Sequence, residues 1–132
     1  QHTNDIVLRV VFALKKHKKE ELWRIANESI AYRRETQPQG VFSPGCTFQN
    51  MTHAEALSIP TPNHTTSAGL LLDKAGVKGL TVGGAQISPV HANFIVNKHL
   101  ATASDVVQLI ALVREKVQRM FGVELREEIV RI

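Results

Sequence analysis

Cysteine and aromatic residues are scarce in this 132-residue chain, and each scarcity excludes a class of protein. Cys46 is the single cysteine, so no disulfide can form within the chain, and a reducing, cytoplasmic setting fits best. Aromatic residues are only 5% of the sequence and no nucleic-acid motif accompanies them, so a nucleic acid is not expected as a partner. No apolar run reaches the roughly 20 residues that a membrane helix requires, so no membrane partner is expected either.

Metal-ligand spacings and internal repeats are also missing from the sequence. None of the six histidines has a second histidine at the spacing of a helix or turn, so no metal site is predicted. Gly83-Gly84 lacks the spacing of a phosphate-binding fingerprint and is interpreted as a close-packing bend. The first residues show neither a signal-peptide pattern nor an initiator Met, and we expect the chain to be part of a longer protein.

The composition is that of a globular domain with a basic excess. Hydrophobic residues make up 43% of the chain and charged residues 21%, and the net charge is +4. Much of that charge lies in the cluster from Lys15 to Lys19. The cluster is interpreted as a solvated loop between a strand and a helix, with a patch for an anionic ligand or a nucleic acid as the alternatives.

The first half of the chain predicts two regular elements followed by a long irregular stretch. Residues 6–14 are β-branched and apolar on both faces apart from Arg9, which predicts a strand covered on both sides. Residues 19–35 have apolar side chains at helical spacing, and the helix should end before Pro38. Residues 51–66 show no sustained periodicity and are expected to form a surface excursion.

The second half predicts two helices and three strands. Ser67 should cap a helix over residues 68–75, and a capping box of Thr102 and Asp105 should begin a long helix over residues 103–121. Strands are expected at residues 80–87, with a bend at the two glycines, and at 93–97 and 123–132. The fold class is therefore α+β: a small, mainly antiparallel sheet packed with one long C-terminal helix, one N-terminal helix and a short helix.

Three groups of residues could carry chemistry. Cys46 follows a Pro-Gly turn, and its thiol could give a proton, act as a nucleophile, or be an inert loop cysteine. His91 is either a ligand-binding or a structural histidine. The last strand should place Glu124 and Glu128 on one face and Glu127 on the other, either as solvated edge residues or as an acid or base in a cleft.

Several segments, taken in order, resemble the C-terminal, substrate-binding domain of the UDP-N-acetylenolpyruvoylglucosamine reductase family. They run from about residue 30 to the end of the chain: residues 32–38 (YRRETQP), 45–50 (GCTFQN), 67–79 (SAGLLLDKAGVKG), 83–88 (GGAQIS), 91–97 (HANFIVN), 101–105 (ATASD) and 121–129 (FGVELREEI). On this resemblance, residues 1–16 are expected to be the strand that leads from an FAD-binding region missing from the chain, and residues 17–132 the substrate-binding domain.

The resemblance implies an oxidoreductase of peptidoglycan precursor synthesis in the cytoplasm. The family uses NADPH and FAD to reduce the enolpyruvyl ether of UDP-N-acetylglucosamine to the lactyl ether, giving UDP-N-acetylmuramate. Hydride passes from the flavin to the alkene, and the resulting carbanion is protonated. Because the FAD-binding domain is a partner outside this chain, the chain alone is expected to bind neither cofactor and to be inactive.

The resemblance also implies site residues. Cys46 occupies the position of the serine that gives the proton, and Glu128 that of the assisting glutamate. Arg34, Asn50 and His91 correspond to positions that contact the substrate, His91 where some members have Gln. A stand-alone module that binds a UDP-sugar without catalysis is the alternative function, and a nucleic-acid-binding protein is a more remote one.

Overall fold

A computed structural model describes residues 6–130, which fall into two units with the boundary after Tyr32. In the first unit, residues 6–18 have no regular secondary structure and are exposed, with Ile6 83% exposed. The strand predicted for residues 6–14 is therefore wrong. A strand needs a neighbour to pair its N–H and C=O groups, and no described residue supplies one. Residues 1–5, which belong to the same predicted strand segment, lie outside the described residues. That residues 1–16 lead from an FAD-binding region stays a prediction.

Helix α1 spans Lys19–Thr36 and crosses the unit boundary. Its acidic first turn and basic last turn both complement the helix dipole, and Arg24 pairs with Glu28 one turn later at 2.8 Å. The helix was predicted, but its apolar stripe is not buried: no α1 residue is buried in the structure. The lysine cluster is exposed, and residues 15–18 have no regular structure, but Lys19 begins α1 and the strand predicted before the cluster is absent.

The second unit holds a three-stranded antiparallel sheet in the order β1-β2-β3. The strands are β1 (Thr81–Val82), β2 (Ala85–Ile87) and β3 (Ile95–Asn97). The bent strand predicted at residues 80–87 is instead a hairpin, because Val82 pairs with Ala85 across the two glycines. The α+β class and the antiparallel sheet predicted from the sequence are confirmed.

Helix α4 (Ala103–Phe121) packs against β1, β2 and the short helix α3 (Ala68–Lys74). The predicted capping box is present, with Thr102 Oγ1 accepting from the Asp105 N–H at 3.1 Å, and Gly122 ends α4 at φ +69°. The sequence of α4 predicts an apolar stripe of Val106, Leu109, Ile110, Val113, Val117 and Met120. Leu109, Ile110, Val113 and Val117 are buried, whereas Met120 is exposed. Ser67 caps α3 as predicted. The buried core includes Phe48, Leu71, Leu72, Ile87, Leu109, Ile110, Val113, Val117, Val123 and Leu125.

Two segments differ from the sequence predictions. The excursion at residues 51–66 contains helix α2 (His53–Ser58) and a 3-10 turn (Pro62–His64). Its capping box, Thr52 with Glu55, is a sequence signal that sequence reasoning missed. The strand predicted at 123–132 is reduced, in the described part, to one isolated bridge between Phe48 and Glu127. Residues 131 and 132 lie outside the described residues.

Candidate functional site

Cys46 lies on a loop that runs antiparallel to the segment containing β3. Phe42 O accepts the Asn97 N–H at 2.9 Å, Cys46 bridges to Phe94, and the Thr47 N–H donates to Asn93 O at 2.8 Å. Gly45 precedes the cysteine at φ +92°, in the left-handed region where a side chain is strained. This turn leaves the Cys46 side chain exposed.

The loop is anchored on its other side by the C-terminal segment, residues 126–128. The Glu128 N–H donates to Thr47 O at 2.8 Å, and the Gln49 N–H donates to Arg126 O at 2.9 Å. Gln49 Nε2 also donates to Glu127 O at 3.0 Å. Residues 47–49 are thus held between two segments that are distant in sequence. Two of these residues, Thr47 and Phe48, are buried.

The backbone bond from Glu128 to Thr47 places Glu128 near the residue that follows Cys46. Partial burial raises the pKa of the Cys46 thiol, and the nearby Glu128 carboxylate raises that pKa further, since a thiolate beside it would be repelled. The thiol therefore carries its proton at neutral pH. A protonated sulfur next to a carboxylate at an exposed position can serve as a proton donor.

The three C-terminal carboxylates have different surroundings. Glu124 and Glu127 both face Arg114, at 3.4 and 3.5 Å, so the prediction that Glu127 points away from Glu124 is wrong. Because the segment is not a regular strand, its side chains do not alternate between two faces. Glu128 forms no ion pair among residues 6–130, which leaves its carboxylate available to the thiol.

An exposed ion pair fastens the C-terminal segment to helix α2. Arg126 donates to both Glu55 oxygens, at 2.8 and 3.0 Å. Hydrogen bonds from the backbone and hydroxyl of Thr52, together with Arg126, lower the pKa of Glu55 to about 2. Sequence reasoning did not find this pair, because nothing in the order of residues indicates that α2 meets residue 126.

Of the predicted substrate contacts, Asn50 and His91 have structural partners. Asn50 Oδ1 accepts the Ala68 N–H at 3.1 Å, at the start of α3. His91 Nδ1 accepts the Asn93 N–H at 3.1 Å, and its ring meets Phe94 edge-on with centroids 4.8 Å apart. Partial burial lowers the pKa of His91 first, and the charge of Lys78 lowers it further.

His91 also borders an open cavity of about 240 Å³, which is lined by Ser67, Gly69, Leu70, Asp73, Lys78, Val90, His91 and Ala92. Arg34 is exposed in the last turn of α1. The role of Arg34, like those of the other four predicted site residues, stays a prediction.

An apolar groove of about 360 Å³ begins next to the cysteine loop. Its lining includes Pro44, Ile95 and Val106, together with Phe42, which is 85% exposed. Within the described residues there is no cluster of three His, Cys, Asp or Glu side chains that could hold a metal ion. None of the described helices is both long and apolar enough to cross a membrane.

Comparisons with known proteins agree with one another. The family model for the C-terminal domain of UDP-N-acetylenolpyruvoylglucosamine reductase matches residues 37–132. UDP-N-acetylenolpyruvoylglucosamine reductase 1 of Bacillus anthracis is 40% identical over 124 residues, covering 94% of this chain and 37% of that protein. The reductase of Chlamydia abortus is 41% identical over 129 residues, covering 98% of this chain and 38% of that protein.

Among solved structures, the crystal structure of UDP-N-acetylenolpyruvylglucosamine reductase from Thermus caldophilus matches with a TM-score of 0.64 at 39% identity. The match covers 90% of this chain and 38% of that one. The chain therefore spans less than two fifths of the length of each of these three relatives.

Proposed function

The chain belongs to the UDP-N-acetylenolpyruvoylglucosamine reductase family, of which it contains the C-terminal domain, and we propose that this domain binds the substrate and supplies a proton to it. The substrate would be UDP-N-acetylglucosamine enolpyruvate, converted to UDP-N-acetylmuramate in the cytoplasmic synthesis of peptidoglycan. The observation that supports the proposal is the exposed Cys46 on a loop that is bonded to the backbone of Glu128 through Thr47.

The proposed step is a proton transfer from Cys46 Sγ to the substrate carbon next to the carboxylate. The S–H bond breaks, a C–H bond forms, and the thiolate left behind regains a proton from water. Before the step, the Glu128 charge and partial burial keep the proton on sulfur, since both disfavour the thiolate. Only a strong base, such as a carbanion held against the thiol, would then remove that proton.

FAD would supply the hydride for this reduction, and NADPH would reduce the FAD. The glycine turn at Gly83 and Gly84 does not fit a phosphate group of such a cofactor. The turn at Gly83 and Gly84 is already filled: a Cβ on Gly84 would lie 1.9 Å from His99 O. We propose that the cofactor is held by a partner domain of the kind that completes the longer relatives. Residues 6–14 and the apolar groove at Phe42 are exposed surfaces that such a partner could cover.

Turnover tests the proton-donor role in a protein that joins this chain to a flavin-binding domain of the family. Cys46→Ala should lower turnover by about a hundredfold or more, the usual contribution of a general acid, while NADPH still reduces the flavin. Cys46→Ser should retain substantial turnover because the hydroxyl can also give a proton. Normal turnover by Cys46→Ala would show that Cys46 is not the donor.

Binding to the unmodified chain tests the substrate role separately. Titration calorimetry with UDP-N-acetylglucosamine enolpyruvate should give saturable binding that weakens when Glu128→Gln and His91→Ala are introduced. A chain that gives no heat of binding would contradict substrate binding by this domain alone. Binding of UDP-N-acetylglucosamine by this chain, combined with no turnover by the wild-type fusion, would instead favour the non-catalytic UDP-sugar module.

A further inference from the structure

Asn93 is almost completely buried, 3% exposed, and each of its polar groups forms a hydrogen bond. Its side-chain Oδ1 accepts the Phe48 N–H at 2.9 Å, and its Nδ2 donates to Phe48 O, also at 2.9 Å. The side chain therefore pairs with a backbone N–H and C=O in the way that a neighbouring strand would. An amide offers a donor and an acceptor on the same planar group whatever the pH, whereas a carboxyl group does so only when it is protonated.

The backbone of Asn93 forms two further hydrogen bonds, one with Thr47 and one with His91. Its carbonyl accepts the Thr47 N–H at 2.8 Å, and its own N–H donates to His91 Nδ1 at 3.1 Å. One residue thus holds the two residues after Cys46 and also sets the ring of His91. Since Nδ1 of His91 accepts this bond, the proton of the neutral ring is on Nε2, on the opposite side of the ring.

We propose that Asn93 is the positioning residue of this site: its amide clamps the Phe48 backbone, fixes the Cys46 thiol beside Glu128, and couples that loop to His91. The consequence for catalysis rests on the proposed function, but the clamp itself does not. Asn93 faces no open surface and acts only through the loop and the histidine.

Thiol chemistry tests the clamp on the unmodified chain, because Cys46 is the single cysteine and any alkylation reports on it alone. The rate of reaction with iodoacetamide is measured against pH for the wild type, Asn93→Asp and Asn93→Leu. Releasing the loop should move the thiol away from Glu128 and uncover the part of it that neighbouring residues now cover. At pH 7, we expect a rate increase of about fivefold and a midpoint at lower pH.

Val117→Ala is the matched control, because Val117 is equally buried but lies in α4 and forms no hydrogen bond to the loop. This variant reports what a loss of core stability alone does to alkylation, and its rate should stay within about twofold of wild type. The proposal would be overturned if both Asn93 variants showed the same dependence of alkylation rate on pH as the wild type. It would also be overturned if Val117→Ala changed the alkylation rate as much as the Asn93 variants do.

Stability against pH gives a second test that does not depend on alkylation. In Asn93→Asp, a protonated carboxyl can still accept from the Phe48 N–H and donate to Phe48 O, whereas a carboxylate cannot donate. The folded-state pKa of the new carboxyl should therefore lie above its unfolded value. Relative to the wild type, Asn93→Asp should lose little stability below the unfolded-state pKa of this carboxyl. The loss should grow as pH rises through the folded-state pKa.

Asn93→Leu, which has no proton to regain, should show no such recovery in acid relative to the wild type. A loss for Asn93→Asp that is independent of pH would contradict the hydrogen-bonded clamp. The turnover test of Cys46→Ala is separate, so failure of the proton-donor role and failure of the clamp can be distinguished.

Discussion

Replacing Gly84 with alanine should destabilise the second unit much more than an ordinary glycine substitution. A Cβ at this position would lie 1.9 Å from His99 O, 2.5 Å from Ala101 N and 2.7 Å from Ala101 Cα. All three are backbone atoms, so no side-chain rotation can relieve the contacts. The hairpin turn would have to move about 1 Å away from the segment before α4.

That movement would disrupt three hydrogen bonds of Gly84. Its N–H donates to Asp105 Oδ2 at 3.2 Å, and its carbonyl accepts from the N–H groups of Lys98 and His99 at 2.9 and 3.3 Å. At about 1 kcal/mol for each bond, the expected loss is about 3 kcal/mol. For a unit of this size that corresponds to a fall in Tm of about 12–24 °C.

Gly79→Ala is the control for this prediction. Gly79 has φ +79°, but a Cβ there would have nothing within 4 Å, so only the left-handed backbone is strained. That strain costs about 1–2 kcal/mol, or a fall in Tm of about 4–16 °C. Thermal unfolding followed by circular dichroism, with urea unfolding for the free energies, compares the two variants. Equal losses of stability in both would refute the close-approach explanation.

Three further predictions concern the site and its supports. Glu128→Gln should lower the pKa of Cys46, because the charge that opposes the thiolate is removed. The midpoint of the alkylation rate should therefore move to lower pH, whereas Glu124→Gln should leave that midpoint unchanged. Thr47→Val should stabilise the protein by about 1 kcal/mol in urea unfolding, since the buried Thr47 hydroxyl has no hydrogen-bond partner among residues 6–130; a loss would mean that water binds there. Thr102→Ala should cost about 1 kcal/mol through the lost α4 cap, and an unchanged Tm would contradict that role.

The helices were predictable where their signals are local. Helix α4 has a capping box, an apolar stripe and a terminal glycine in one continuous stretch, and the structure contains all three. Helix α2 carries a capping box of its own, but nearby prolines and its short length obscured the signal. The run at residues 6–14 shows the opposite failure, since strand composition without a pairing partner does not produce a strand.

The candidate site was predictable only in part. Resemblance to a family paired Cys46 with Glu128, and the backbone bond between Glu128 and Thr47 places Glu128 near the residue after Cys46. No local pattern could indicate Asn93, because its importance depends on a contact with Phe48, 45 positions away in sequence. The same limit applies to Arg114, whose position between two carboxylates depends on how α4 packs against the C-terminal segment.

The junction between residues 47–49 and 126–128 has a consequence for the order of folding. Its hydrogen bonds include one that joins residues 78 positions apart, so closing it carries a large loop entropy. Helix α4 and the hairpin depend on short-range contacts and can form first, whereas this junction must wait until residue 128 has been synthesised. During translation Cys46 is therefore an ordinary solvated thiol. The proposed acid chemistry therefore cannot begin before residue 128 has been added to the chain.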